Sequence, residues 1–327
     1  MRIAFAITRA AAIGGTWTTA SLAQVALSRG HSVRFVEPWD YEVDIRGRLI
    51  ARSHAFDHPS SAERLAHLLA SRKAPRRYVD LERIDLLVLR ASPLDLAVLS
   101  FAQLVKDRGV RVVNDPGGLL RVSHKGWLAS MPGVRIPETL VTRSRASAHL
   151  FASAQYDGVI VKPARGSGGR DVARVEHGET AALDFAFDRA RERGDGYVVI
   201  QRYLTEADGG EKRLMWLDGE IIGGYLRKRA PGEFRHNLKR GGLAEPTEIT
   251  DEDRAAVGLV TPHLQAAGIR LAGLDVIGAY LTEVNTLNPG GAFHADRTSG
   301  SRLSERILDR LIQPPEPERI AWALPAP

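Results

Sequence analysis

The stretch Leu274-Asp275-Val276-Ile277-Gly278-Ala279-Tyr280-Leu281-Thr282-Glu283-Val284-Asn285 gathers three oxygen donors in one short span. It reads as two short strands joined by a Gly-Ala-Tyr turn. Alternation at period two puts Asp275 and Ile277 on one face, and Glu283 and Asn285 on one face of the returning strand, so the three donors can converge. These are the hard ligands that Mg²⁺ accepts, and Mg²⁺ keeps several waters while it bridges a few protein oxygens to nucleotide phosphates. A second cluster lies upstream. The apolar strand Gly158-Val159-Ile160-Val161-Lys162-Pro163 delivers a lysine to the loop Ala164-Arg165-Gly166-Ser167-Gly168-Gly169-Arg170. Glycines let backbone amides approach phosphate oxygens where side chains would intervene. Taken singly, the first cluster is also a solvated polar hairpin and the second a flexible tip; Lys162 at the strand end favours phosphate.

The glycine loop is not a P-loop, because no Gly-Lys-Ser/Thr follows and the chain returns as strand, not helix. Nor is it the glycine loop of a protein kinase, which precedes its lysine strand; no His-Arg-Asp or Asp-Phe-Gly set is present. The chain has no cysteine, which excludes disulfides, a thiol nucleophile and a thiolate zinc site. Its 327 residues are 44% hydrophobic and 26% charged, enough for two or three packed units. The opening apolar run Met1 to Thr8 is too short for a signal peptide, and no later run reaches membrane-spanning length, so a cytoplasmic protein with no membrane partner is expected. The net charge of +6 is spread along the chain. The dense groups, Arg72-Lys73-Ala74-Pro75-Arg76-Arg77 and Arg227-Lys228-Arg229, lack aromatic interleaving, so no nucleic-acid partner is expected, and the first group reads as bulk surface charge.

The elements that must position these residues follow from pattern and punctuation. Met1 to Thr8 alternates as a strand, Thr18 or Thr19 can cap a helix that ends at Arg29-Gly30, and Val33 to Glu37 is a second strand, a β-α-β opening that predicts a parallel sheet. Gly14-Gly15 lies between strand and helix without the G-x-G-x-x-G spacing. Tyr41 to Ile45 and Arg48 to Ser53 form a hairpin, Ala62 to Ser71 a helix, and Leu86 to Arg90 a buried strand. Asp115-Pro116-Gly117-Gly118 closes this unit. Leu119 to Met131 then reads as a helix carrying His124 and Lys125, and Tyr197 to Leu204 as a strand running into an extended segment. Asp218-Gly219 marks a hairpin, Ala230 to Gly242 a basic loop with the makings of a lid, and Thr250 with Asp253 a capping box. Leu303 to Ile312 is a closing helix.

In order, Lys125, Lys162 with Gly166 to Gly169, Gln201 to Leu204, Glu211, Asp275, and Glu283 with Asn285 form a pattern that resembles the ATP-grasp ligases. Within them the likeness is to bacterial glutathione synthetases and covers nearly the whole chain. It includes Val112-Val113-Asn114-Asp115-Pro116, Pro137-Glu138-Thr139-Leu140-Val141-Thr142-Arg143 and Gly273-Leu274-Asp275-Val276-Ile277-Gly278. The resemblance implies an α/β protein, an ATP-grasp fold preceded by a Rossmann-like parallel-sheet N-terminal domain. The expected units are 1–118, a central lid domain 119–200, a C-terminal metal-bearing domain 201–312 and a proline-rich tail 313–327. It implies ATP and two Mg²⁺ ions as cofactors. Lys125, Lys162 and the loop Gly166, Ser167, Gly168 and Gly169 would hold phosphates, Gln201, Tyr203 and Leu204 would line the adenine pocket, and Glu211 would take the ribose hydroxyls. Asp275, Glu283 and Asn285 would be the metal ligands, with Arg235 and Asn237 of the lid over the reacting groups and Arg235 on the acyl phosphate.

The implied reaction is attack of a substrate carboxylate on the γ-phosphate, then displacement of phosphate by an amine. The expected partners are a small-molecule or short-peptide carboxylate and an amine, with a homo-oligomer left open. Two departures bear on the substrate. Where glutathione synthetases carry a segment like Arg-Lys-Asp-Pro-Pro, this chain has Arg90-Ala91-Ser92-Pro93, and Asn285 is followed by Thr286-Leu287-Asn288-Pro289-Gly290-Gly291-Ala292-Phe293-His294. The lid also resembles ligases that add glutamate to a ribosomal-protein tail, and a nucleotide-binding regulator without turnover is a further alternative. Asp275→Asn and Glu283→Gln are both expected to lose turnover while the fold survives.

Overall fold

The computed structural model describes residues 1–166 and 168–314. Ser167 and the tail from residue 315 onward lie outside the described residues. The β-α-β opening forms as the pattern requires. Strand Arg2–Ile7 leads through helix Thr18–Ser28 to strand Ser32–Val36, and the strands pair in parallel with Ile3 beside Val33 and Phe5 beside Phe35. Gly30 ends the helix at φ +76°, a conformation that costs glycine little. Leu86–Arg90 and Arg111–Val113 extend the sheet in parallel, and Leu49–Phe56 adds an antiparallel flank that carries both Tyr41–Val43 and Arg76–Asp80.

That last strand corrects the reading of the basic group around residues 72–77 as bulk charge. Arg77 is exposed, but Arg76 turns inward between Glu37 and His54, at 3.4 and 2.9 Å. A second correction concerns the start of the first helix. Trp17 occupies the cap position without a side-chain bond, and Thr18 and Thr19 lie in the first turn, fully buried. Their hydroxyls are drawn to a distant loop: Thr18 Oγ1 accepts from the amides of Gly291 and Ala292, and Thr19 Oγ1 accepts from Arg90 Nε at 3.0 Å. The expected helix over 119–131 is broken into Pro116–Val122 and Lys125–Ala129, because His124 adopts extended backbone and caps the second piece through Nδ1.

A four-stranded antiparallel sheet follows, ordered Ala173–Val175, Val159–Pro163, Val198–Arg202, Thr139–Thr142. Helices Arg145–Ser153 and Thr180–Arg193 cover it, with Val159, Val161, Phe187, Val198 and Ile200 buried between. The third sheet runs Leu243–Glu245, Glu220–Lys228, Glu211–Leu217, Leu271–Ile277, Tyr280–Asn285, all antiparallel. Asp218 and Gly219 both take positive φ in its first hairpin, as a tight two-residue turn demands. Both faces of this sheet are covered. Met215, Leu217 and Tyr225 pack with Phe5, Leu22 and Ile307, while Leu214, Trp216 and Leu274 pack with Leu87, Val98 and Leu264. The first and third sheets therefore share their hydrophobic cores.

Asn114 fastens these two sheets. It is buried at the end of the parallel sheet, donates from Nδ2 to the carbonyls of Leu271 and Thr286 at 2.9 and 3.0 Å, and accepts through Oδ1 from the amides of Arg270 and Leu271. One amide side chain thus satisfies four backbone groups around the strand that carries Asp275. Asn114→Ala strands those groups away from water, and we expect a loss of about 3 kcal/mol in urea unfolding, since each buried orphan costs about 1–3 kcal/mol. A change below about 0.5 kcal/mol would contradict this role.

Candidate functional site

A cleft of ≈ 770 Å³ runs between the three sheets. It collects Lys162, Gly168, Gly169, Gln201, Tyr203, Leu204, Glu211, Arg235, Asn237, Asp275, Glu283 and Asn285, and a smaller adjoining hollow is lined by Lys125 and Gly166. The sites expected from sequence therefore meet in one place. Ser167 alone among them lies outside the described residues.

The hairpin geometry depends on a bulge. Pairing runs Val276 with Leu281 and then Asp275 with Glu283, so Thr282 is the extra residue. The bulge sets Glu283 directly across from Asp275, the kind of re-aiming for which bulges recur beside active sites. Thr282 Oγ1 donates to the Asp275 carbonyl at 3.1 Å, and Asn285 Nδ2 donates to Asp275 Oδ2 at 3.1 Å.

Asp275 is almost fully buried, and two arginines that the sequence reading did not place surround it. Arg213 binds it twice, Nε to Oδ1 at 2.5 Å and Nη2 to Oδ2 at 3.0 Å, and Arg227 Nη2 stands 2.8 Å from Oδ1. Arg227 also holds Glu211 at 2.6 Å. Burial pushes the Asp275 carboxyl up, yet the guanidiniums of Arg213 and Arg227 outweigh it and hold the group below the usual carboxylate range. For Glu211 burial prevails over Arg227, with Asp275 and Glu283 adding to it, and the carboxyl rises to about 6. Arg213 could have been suspected from its register, since it lies directly across from Asp275 on the neighbouring strand. Only the pairing of two distant segments makes that register visible.

On the opposite wall, Lys125 Nζ lies 3.3 Å from Glu283 Oε1 and donates to the Gly166 carbonyl at 3.1 Å. Lys162 Nζ donates to Gln201 Oε1 at 3.1 Å, and burial lowers its pKa. Gln201 is fixed in turn by donating to Thr139 Oγ1. Pro137, Ile160, Leu204 and Ile277 add apolar surface to the lining of the cleft. In the loop 230–242, Arg235 binds Glu233 through Nε and Nη2 at 2.9 and 2.8 Å and reaches the Gly169 carbonyl at 3.2 Å, tying this loop to the glycine loop. Asn237 lines the cleft and caps the turn at Leu238–Arg240.

The donor set fits Mg²⁺. Two facing carboxylates and an amide are hard oxygen ligands, and three neighbouring acids are balanced here by Lys125, Arg213 and Arg227, cations standing where a metal would share the charge. Among the described residues no group of three or more His, Cys, Asp or Glu is placed to hold a metal ion by itself.

Burial separates the two facing carboxylates, Asp275 and Glu283. Glu283 is half-buried and its one ion pair among the described residues is with Lys125, so Glu283→Gln is expected to fold normally. Asp275→Asn leaves two buried guanidiniums short of counter-charge and should cost about 3 kcal/mol in addition to turnover. This replaces the expectation that both variants keep the fold intact, and denaturant melts of the two proteins side by side check it. Equal stability of both would refute the assignment of Asp275 as the charge anchor.

Comparison with known proteins bears on the family and the fold. The family model for the prokaryotic glutathione synthetase N-terminal domain matches residues 1–120, and that for the prokaryotic glutathione synthetase ATP-grasp domain matches residues 126–300. Glutathione synthetase of Thermosynechococcus vestitus is 35% identical over 63% of this chain, an alignment that spans 64% of that protein. Glutathione synthetase of Gloeobacter violaceus is 30% identical over 90% of this chain and 91% of its own. The crystal structure of D-cycloserine synthetase DcsG shares the fold, with a TM-score of 0.68 at 17% identity over 95% of this chain and 98% of that one. No helix among the described residues is long and apolar enough to cross a membrane. The chain belongs to the prokaryotic glutathione synthetase family, with that family's N-terminal domain followed by its ATP-grasp domain.

Proposed function

We propose that this protein is an ATP-dependent carboxylate-amine ligase that forms an amide through an acyl phosphate and releases ADP and phosphate. The observation that carries the reading is the facing pair Asp275 and Glu283, set opposite Lys125, Lys162 and the glycine loop in one cleft. In this reading the chain acts as three units, 1–118, 119–200 and 201–312. Lys125 and Lys162 hold phosphate oxygens, the backbone of Gly166, Gly168 and Gly169 closes over them, and Gln201, Tyr203 and Leu204 line the adenine. Mg²⁺, two ions by the resemblance, would sit at Asp275, Glu283 and Asn285 and neutralise phosphate charge during transfer.

The geometry favours two changes of role. Glu211, bonded to Arg227 and within 3.4 Å of the Thr282 hydroxyl, belongs to the charge balance around Asp275 more than to a ribose. Arg213 and Arg227 stand beside the reacting end, whereas Arg235 is engaged by Glu233, so we assign the acyl phosphate charge to Arg213 and Arg227 and the closing of the lid to Arg235. Placing fixed cations where charge develops is the largest contribution such a site can make.

Phosphate release should require ATP, Mg²⁺, a carboxylate and an amine together, with γ-glutamylcysteine and glycine as the first pair and glutamate with a peptide tail as the second. Glu283→Gln should lower that rate at least about 100-fold while nucleotide still binds. AMP and pyrophosphate as products would refute the acyl phosphate route, and tight ATP binding without turnover across the panel would favour the regulator. The lid offers an independent check. Trypsin should cut at Arg235 or Lys239 more slowly once ATP, Mg²⁺ and acid are bound, and faster in Glu233→Gln; cleavage that ligands leave unchanged would remove the lid role.

A further inference from the structure

Strand Arg2–Ile7 lies between two parallel neighbours, Ser32–Val36 on one side and Leu86–Arg90 on the other. The chain passes from it to the first neighbour and reaches the second only later, so its carboxyl end is the switch point of the sheet, where open α/β sheets receive ligands. The segment that follows, residues 8–13, lines the cleft through Thr8, Arg9, Ala12 and Ile13. The residues assigned above to nucleotide and metal all lie between 125 and 285, so this wall is left for a co-substrate. In the pair γ-glutamylcysteine and glycine, the larger co-substrate is the acid.

Two anchors hold the wall, one from beyond each neighbouring strand. After Leu86–Arg90, the Ser92 carbonyl accepts from Thr8 Oγ1 at 2.9 Å and the Ser92 amide donates to it at 2.8 Å. After Ser32–Val36, Glu37 Oε1 accepts from the Ala10 amide at 2.7 Å in a buried setting. The turn Ala10–Ala12 starts at that amide. Thr8 is exposed and its partner groups are backbone, whereas Glu37 is a buried carboxylate with supports of its own. Its Oε2 lies 3.2 Å from His54 Nε2 and 3.4 Å from Arg76 Nη1, and Arg76 Nη2 pairs with the buried Asp40. Asp40 in turn accepts from the Glu37 amide. Burial pushes the Glu37 carboxyl up, and the contact with His54, the Ala10 amide and the charge of Arg76 together bring it below the usual carboxylate range. A charged acceptor binds an amide more strongly than a neutral one, but only a counter-charge makes it tolerable in a buried place. Four polar side chains therefore converge behind one amide of the cleft wall.

Resting on the ligase reading above, we propose that Glu37 is a positioning residue for the acid substrate. It holds residues 8–13 in the shape that lines the cleft, and Arg76 with Asp40 and His54 holds Glu37. Neither Glu37 nor Arg76 lines the cleft, so both act through the wall. Loss of Glu37 consequently weakens the acid and leaves the nucleotide and phosphoryl transfer alone. The basic group 72–77 thereby has a part in the site through Arg76.

Initial rates of ADP release test this in Glu37→Ala, Glu37→Gln and Arg76→Met, with γ-glutamylcysteine varied at saturating ATP, Mg²⁺ and glycine. Glu37→Ala should raise KM for the acid about 10-fold, with kcat and the KM values for ATP and glycine within about twofold. Glu37→Gln keeps an oxygen for the Ala10 amide and should stay within about threefold of the unsubstituted KM, and Arg76→Met should fall between the two. An unchanged acid KM in Glu37→Ala, an equal rise in Glu37→Gln, or a fall in kcat of the same size overturns the proposal. Should Glu37→Ala fail to fold, Arg76→Met, whose side chain is 26% exposed, decides in its place: a rise confined to the acid KM supports the proposal and no rise overturns it. Hydrogen exchange of the unliganded proteins tests the anchor without turnover. Amides 10–13 should exchange about 10-fold faster in Glu37→Ala or Arg76→Met, with strand Leu271–Ile277 unchanged, and equal exchange overturns the proposal. Absence of ADP release from the unsubstituted protein reports on the ligase reading, and the exchange result then decides the anchor by itself.

Discussion

The carboxylate of Asp275 bound between Arg213 and Arg227 is the interaction on which the rest of the cleft depends. Three acids and several cations are packed into a partly dry space, where each charge costs heavily unless another offsets it. Arg213 closes the account on one side of Asp275 and extends a third nitrogen to the Gly290 carbonyl at 3.2 Å. Arg227 divides itself between Asp275 and Glu211. Removing one member therefore disturbs neighbours that never touch it. The cations are held in place by several partners each, so the charge balance is set before any ligand arrives.

The backbone around that cluster is held from the N-terminal domain. Asn114 ties the strand of Asp275 to the parallel sheet, Thr18 accepts from Gly291 and Ala292, and Arg90 grips Pro289. The turn after Asn285 is thus clamped by residues more than half the chain away in sequence. Gly291 takes φ +130°, and a Cβ there would come within 2.9 Å of the Tyr225 ring, so the turn has little freedom to be anything but glycine at that point. The N-terminal domain consequently does two things at once: it buries the apolar faces of the third sheet and it shapes the far wall of the cleft.

The amino-acid sequence by itself determined the local elements and the chemical types at the site. Period-two alternation around Asp275 and Glu283, glycines after Lys162, Asp218-Gly219 and the Thr250 to Asp253 capping box each act over a few residues, where the chain's own geometry leaves few choices. The β-α-β opening and the parallel sheet were legible for the same reason. What only the tertiary structure decided were the partners that cross between elements. Arg213 reads as one more basic residue on a strand until the strand Leu271–Ile277 lies beside it. Thr18 and Thr19 look like helix caps until the turn at 288–292 offers their hydroxyls buried amides and a guanidinium. Arg76 looks like surface charge until Glu37 and His54 close on it. In each case the local pattern is degenerate, since a hydroxyl or guanidinium binds whatever partner the fold presents, and that partner is chosen by sheet register and domain packing across long sequence separations.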